Sequence, residues 1–218
     1  MTFVLCGTMV VEQASAADEK GTGAGAGRPA TVTEAVRVLD LTTFPLLKGA
    51  KEPVNRSVAR LSYTAPSDCK TAFEFQRKTL ASQKWTELPG SNSTAEYANG
   101  TFTRAGFVAS MSVSTLGDPK QPGMVNVSLM LHGNVDLKKL PMPADLKPTY
   151  VGPQVAMYST DVSVEKTAEA CRKLLLAQGW QPYGQAGDTQ FFKQNAIRLT
   201  AYITAAPALK GKTSVSFS

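Results

Sequence analysis

Histidine is almost missing from this chain: His132 is the only one among 218 residues. A zinc site needs three or four ligands from His, Cys, Asp and Glu, and neither His-Glu-x-x-His nor Cys-x-x-Cys spacing occurs. No metal and no cofactor are therefore expected. Cysteine is nearly as scarce, with Cys6, Cys69 and Cys171 only. No Gly-x-Ser-x-Gly elbow presents a serine, and no cysteine stands near His132 in sequence, so the parts of a nucleophilic centre are lacking. His132 ends an alternating stretch beside Gly133-Asn134 and reads as a surface residue rather than a ligand.

Long apolar runs are lacking too. The first eleven residues, Met1 to Val11, are apolar but fall well short of the roughly 20 residues that a membrane-spanning helix needs, so no transmembrane anchor is expected. Ala14-Ser15-Ala16 is a small-x-small triplet of the kind a signal peptidase accepts. Residues 1–16 thus read as a signal-like segment and the chain as exported, to the periplasm, cell envelope or medium. No Lys or Arg precedes the apolar run, which suggests that Met1 is a late start within a longer signal. Phe3-Val4-Leu5 has no small residue before Cys6, against lipidation. The glycines from Gly21 to Gly27 lack the preceding strand of a phosphate-binding loop, and residues 17–30 read as a flexible linker.

Charged residues make up only 18% of the chain, 23 basic and 17 acidic, for a net charge of +6. Cleavage after Ala16 would remove Glu12 and no basic residue, making the balance more positive by one. A basic balance favours polyanions, but the lysines and arginines never form a run of four and read as a solvated surface. Nucleic acid is not expected as a partner. The 43% of hydrophobic residues is enough for packed cores.

The chain repeats itself. A shift of 95 residues lays Tyr63 on Tyr158, Glu74 on Glu169, Arg77-Lys78 on Arg172-Lys173, Leu80 on Leu175 and Trp85 on Trp180. A shift of 96 lays Leu39-Asp-Leu41 and Phe44-Pro45 on Val135-Asp-Leu137 and Leu140-Pro141. The same signals in the same order indicate duplication: repeat 1 over residues 31–134, with a short helix from Thr31 to Leu41 at its start, and repeat 2 over residues 135–218.

Each copy reads strand, helix, then several strands. The segments from Val58 and from Val155 alternate like strands. Asp68 and Ser163 are candidate helix N-caps. Cys69, Phe73, Gln76 and Leu80, and in the second copy Val164, Ala168, Cys171 and Leu175, recur at helical spacing and mark inward faces. The second helix ends at Gln178-Gly179, where glycine suits a left-handed turn; the first ends at Gln83-Lys84 without one. Phe107 to Ser114 and Leu199 to Thr204 alternate apolar with Ser, Thr or Tyr, as in an antiparallel sheet with one face in the core and one in water. The expected fold is α+β: two tandem β-α-β-β-β repeats, each a small antiparallel sheet with one helix packed on one face. Gly117 to Gly123 is an expected long turn. Cys69 and Cys171 fall on core faces of different copies and read as buried thiols; a bridge would need their Cα atoms within about 7 Å.

At Val135-Asp-Leu-Lys-Lys-Leu-Pro141, Glu169 to Trp180 and Phe191-Phe-Lys-Gln-Asn195, the chain resembles a group of secreted planctomycete proteins of unknown function that carry this unit in tandem. The resemblance implies export and duplication and brings no site residue with it. If the source is bacterial, as the resemblance implies, the Asn-x-Ser/Thr triplets at Asn55, Asn92, Asn99 and Asn126 mean little as glycosylation signals.

Chemistry-bearing residues are few. Asp68, Glu74, Asp161, Glu165 and Glu169 fall at helix starts or on outer helix faces, where capping and solvation account for them. Arg77, Lys78, Arg172 and Lys173 recur symmetrically on the two helices and are the candidate binding residues, as a bivalent anion surface. No catalytic residue is assigned. The reading that follows is a non-catalytic exported or envelope module that binds a protein or an envelope polymer through a sheet face or the groove between repeats. Two rivals remain open: an extracytoplasmic enzyme whose carboxylates are gathered by the fold, and a polyanion-binding protein.

Overall fold

The computed structural model describes residues 28–117, 122–206 and 211–218. The signal-like segment, most of the linker and the centre of the Gly117–Gly123 turn lie outside them. The described part is mixed α+β and mostly strand, with two antiparallel sheets and three α-helices. None of these helices is long and apolar enough to cross a membrane.

Helix α1, Val32–Val38, starts at a capping box: Thr31 accepts from the Glu34 N–H, and Glu34 reaches back to the Thr31 N–H. The first sheet follows, with strands β1 (Asn55–Arg56), β2 (Arg60–Pro66), β3 (Thr86–Glu87), β4 (Asn92–Ser93), β5 (Tyr97–Arg104), β6 (Phe107–Thr115) and β7 (Met124–Gly133). Helix α2, Cys69–Ser82, lies between β2 and β3 in the chain. The second sheet holds β8 (Lys147–Val151), β9 (Ala156–Thr160), β10 (Gln181–Ala186), β11 (Thr189–Gln194), β12 (Ile197–Ala206) and β13 (Lys212–Phe217), with helix α3, Val164–Ala177, between β9 and β10.

The strand orders correspond: β1-β2-β7-β6-β5-β3 in the first sheet, and β8-β9-β13-β12-β11-β10 in the second. In each, the strand before the helix pairs with the last strand, and the strand after the helix stands at the opposite edge. The helices are 14 residues each and start 95 positions apart. Asp68 and Ser163 cap them as the sequence suggests, accepting from the N–H groups of Thr71 and Lys166. The buried apolar residues of α2 share one core cluster with Leu61, Phe102, Met111, Val127 and their neighbours, and Leu39, Leu41 and Phe44 join it from the N-terminal segment. Cys171 and Leu175 of α3 share a second cluster with Tyr158, Leu199, Ile203, Val215 and Phe217. Cys69 and Cys171 are both buried and free. Burial, with Asp145 nearby, pushes the Cys171 thiol up to about 12, so it behaves as a small apolar side chain.

Both helices end in the same Schellman geometry. Trp85 N–H bonds the Leu80 carbonyl and Lys84 N–H that of Ala81; Trp180 N–H bonds the Leu175 carbonyl and Gly179 N–H that of Leu176. The motif requires a left-handed residue, and Lys84 supplies it at φ 65°, Gly179 at φ 87°. The copies reach one conformation with unequal strain.

Arg28, Pro29 and Ala30 depart from the expected flexible linker. Ala30 N–H donates to Asn134 Oδ1 at 2.8 Å, and Asn134 Nδ2 returns a bond to the Arg28 carbonyl at 3.0 Å. Asn195 Nδ2 bonds the Pro29 carbonyl at 2.8 Å, and Ala196 N–H bonds the Ala30 carbonyl at 3.0 Å. Ala30 is buried in the first core. The segment is tied between the end of β7 and the β11–β12 turn, because its backbone groups are satisfied there and buried backbone groups must be. Beside it, Gly133 at φ +96° faces Ile197, and an added Cβ would fall inside the envelope of Ile197 Cδ1 and 3.3 Å from Cγ1.

Two predictions follow from these positions. Lys84→Gly stabilises the protein by up to about 1 kcal/mol by removing left-handed strain, and Gly179→Lys costs a comparable amount; urea midpoints of the two variants should move in opposite directions. Gly133→Ala costs about 2–3 kcal/mol through strain and overpacking. Ile197→Val, costing roughly 0.5–1.5 kcal/mol alone, recovers part of that loss in the double variant, and purely additive effects would refute the contact.

Candidate functional site on the outer face of the first sheet

The alternation that buries one side of β5, β6 and β7 turns a polar set outward. Asn99, Ser112 and Ser128 stand directly opposite one another across the three strands, and Thr101, Ser110 and Met130 form the adjacent row. These side chains are half-buried, because small residues side by side on a pleated surface shield each other. From the second half of the chain, the β8–β9 turn brings Gln154 over this face, and its Nε2 donates to Thr101 Oγ1 at 2.8 Å.

A cavity of about 250 Å³ lies between that turn and the sheet, lined by both rows with Tyr97 and Gln154. None of the described residues lining it is charged. Asn99 Oδ1 is buried and has no hydrogen-bond partner, although a buried acceptor left unmet costs about 1–3 kcal/mol. Tyr97 is 42% exposed.

His132 lies at the margin of the site rather than freely on the surface. It is half-buried, and its Nε2 is 2.7 Å from Ser110 Oγ. Burial, and then the nearby Arg60, hold its pKa below the ordinary histidine value near 6.5. A serine beside a neutral histidine resembles two parts of a hydrolytic triad, but the surroundings oppose that chemistry. Arg60 disfavours the imidazolium that a carboxylate partner would stabilise. Ser110 stands mid-strand, paired with Thr101 on one side and Met130 on the other, so the backbone N–H groups around it serve the ladder rather than an oxyanion. What this face can do is donate and accept hydrogen bonds.

The structure distributes the residues singled out in the sequence elsewhere. Arg77, Lys78, Arg172 and Lys173 are exposed on α2 and α3, and Arg77 is engaged by Glu74 at 3.0 Å and Glu87 at 3.6 Å. Asp68 caps α2, and Asp161 lies 3.8 Å from Lys212. Among the described residues, no three His, Cys, Asp or Glu side chains gather into a metal-holding group. Tyr97, Asn99 and Gln154 escaped the sequence reading. The alternation of Tyr97-Ala-Asn99-Gly-Thr101 signalled the first two, whereas nothing local to Gln154 signals its place. The second sheet's outer face differs, with Tyr202, Met157 and Tyr150 exposed in one cross-strand row, Ser216 standing between Tyr202 and Met157, and with Arg198 5.8 Å from the Tyr183 ring.

Comparison with family models, curated proteins and solved structures returned no match to this chain.

The lowered His132 pKa has a fixed sign. Between its folded value and the unfolded value near 6.5, the unfolded chain binds more protons, so stability rises with pH through that window and is lost as pH falls through it. Urea midpoints between about pH 5 and 8 should show this slope, and His132→Gln should reduce it; an unchanged slope would show that His132 is not its source.

Proposed function

We propose that this chain is an exported, non-catalytic binding module, made of two tandem units with one helix across one face of each sheet, which holds a protein or polymer ligand on the outer face of its first sheet. The observation that carries the reading is the uncharged polar cavity beneath Gln154, lined by the side chains of Asn99, Thr101, Ser110, Ser112 and Ser128. The leader-like Met1–Ala16 segment and the resemblance to secreted tandem-repeat proteins support export. The ion pairs of Arg77 with Glu74 and Glu87 weaken the polyanion reading, since a competing anion must displace two carboxylates.

A thermal-shift screen of the chain against sugars, polysaccharides, peptides, nucleotides and polyanions tests the reading. A ligand at about 100 times its Kd stabilises by roughly 2.7 kcal/mol, which moves the midpoint by on the order of 5 °C for a chain of this size. The shift should shrink in Asn99→Leu and Gln154→Ala. A ligand whose shift ignores both substitutions places binding elsewhere, and turnover of any ligand would end the non-catalytic reading.

A further inference from the structure

We propose that the cavity over the first sheet is a subsite for one neutral sugar residue of a glycan. The proposal rests on the binding-module reading and names the ligand class of its site. Its first support is charge. The chain carries 23 basic and 17 acidic side chains, yet none of the described residues lining this cavity is charged. A phosphate, sulfate, carboxylate or ammonium group entering it would lose hydration with no opposite charge to replace it.

The second support is hydrogen-bonding capacity. The hydroxyls of Tyr97, Thr101, Ser110, Ser112 and Ser128 can each donate and accept, as can the amides of Asn99 and Gln154. Directly opposed side chains stand about 5 Å apart across the strands, and successive outward residues about 7 Å apart along them. Such a grid suits a ligand that carries a hydroxyl on nearly every carbon. Tyr97, exposed at the edge, offers a ring against which the C–H side of a pyranose can stack, with its phenol free to hydrogen-bond.

Size and strand pairing narrow the class further. About 250 Å³ is just below the roughly 300 Å³ at which drug-sized sites begin, which fits one ring better than a folded peptide segment. An extended peptide would bring backbone N–H and C=O groups seeking a strand edge, but β6 is paired on both sides and β5 is paired with β6 on one side and with β3 and β4 on the other. The ligand must be read by side chains.

Native affinity electrophoresis of the whole chain provides the test, in gels cast with neutral polysaccharides (dextran, laminarin, glucomannan, galactomannan, arabinoxylan) and with acidic ones (heparin, polygalacturonate, alginate). At least one neutral polymer should retard the protein, and Tyr97→Ala and Asn99→Leu should weaken that retardation tenfold or more while melting at the wild-type temperature. If Asn99→Leu fails to fold, Gln154→Ala, at a hairpin tip, probes the same cavity. Retardation by acidic polymers only, by none of the neutral ones, or equally for wild type and variants overturns the sugar subsite. Should the variants instead abolish binding of a peptide or other non-sugar ligand, the sugar assignment falls and the binding-module reading stands. If no ligand responds to Tyr97, Asn99 or Gln154, both fall.

Discussion

The two-residue period of the strands divides every sheet residue between a face that must be apolar and a face that need not be. In β7 the division is complete: Val125, Val127, Leu129 and Leu131 are buried, whereas Asn126, Ser128, Met130 and His132 alternate between them on the other side. The inward residues carry folding, since each large apolar side chain buried contributes about 1.5–3 kcal/mol. The outward ones are free of that duty, and the cavity, the Ser110–His132 contact and the unmet Asn99 acceptor all lie on this side. A one-residue slip in register would exchange the two sets, so the site depends on the same pairing that forms the core.

The two units keep what packing demands and differ where it does not. Helix length, cap position, Schellman bonds and strand order are common to both. Inside, Gln76 of the first unit donates to the Tyr63 hydroxyl and reaches the Pro45 carbonyl, tying the N-terminal segment to the helix. Its counterpart in the second unit is Cys171, an apolar thiol below Tyr158 in the same core cluster. Outside, Ser and Asn hydroxyl and amide groups cover the first sheet, and exposed tyrosines stand on the second. One face is rich in hydrogen-bonding groups and the other in exposed aromatic and apolar side chains, so the outer surfaces of the two units are not equivalent. The Arg28–Ala30 segment joins them through hydrogen bonds from its backbone to the Asn134 and Asn195 side chains and to the Ala196 N–H, with Ala30 buried in the first core.

Local chemistry made much of the fold legible. The spacing of Phe73, Gln76 and Leu80 marks a helix face, and Asp68 and Ser163 mark the starts. Lys84 was not legible as a left-handed residue, because lysine carries no preference for it and only the helix end and Trp85 burial force it. The two-residue strands β1, β3 and β4 have too little sequence to show alternation. The site was half legible. The polar stripe of β6 is plain in Ser110-Met-Ser112-Val-Ser114, but Gln154, which lines the same cavity, stands 53 positions after the Thr101 that it bonds. Ser110 and His132 likewise meet across a strand pair after a separation of 22, a distance at which periodicity says nothing about contact.

The polar groups of this face do not bear the same cost when the site is empty. Serine and threonine hydroxyls rotate, and in opposed pairs such as Ser112 and Ser128 each can serve its neighbour or water, so their capacity is kept at little expense. An amide is planar and fixed by its rotamer, and Asn99 Oδ1 points where no protein donor reaches it. The protein therefore carries the desolvation of one acceptor, a cost of about 1–3 kcal/mol that the packing around Asn99 offsets. The face thus combines one fixed amide with several adaptable hydroxyls. The hydroxyl rotors can turn to whatever groups come against this face, whereas the amide cannot, so any adaptability of the face resides in its serines and threonines.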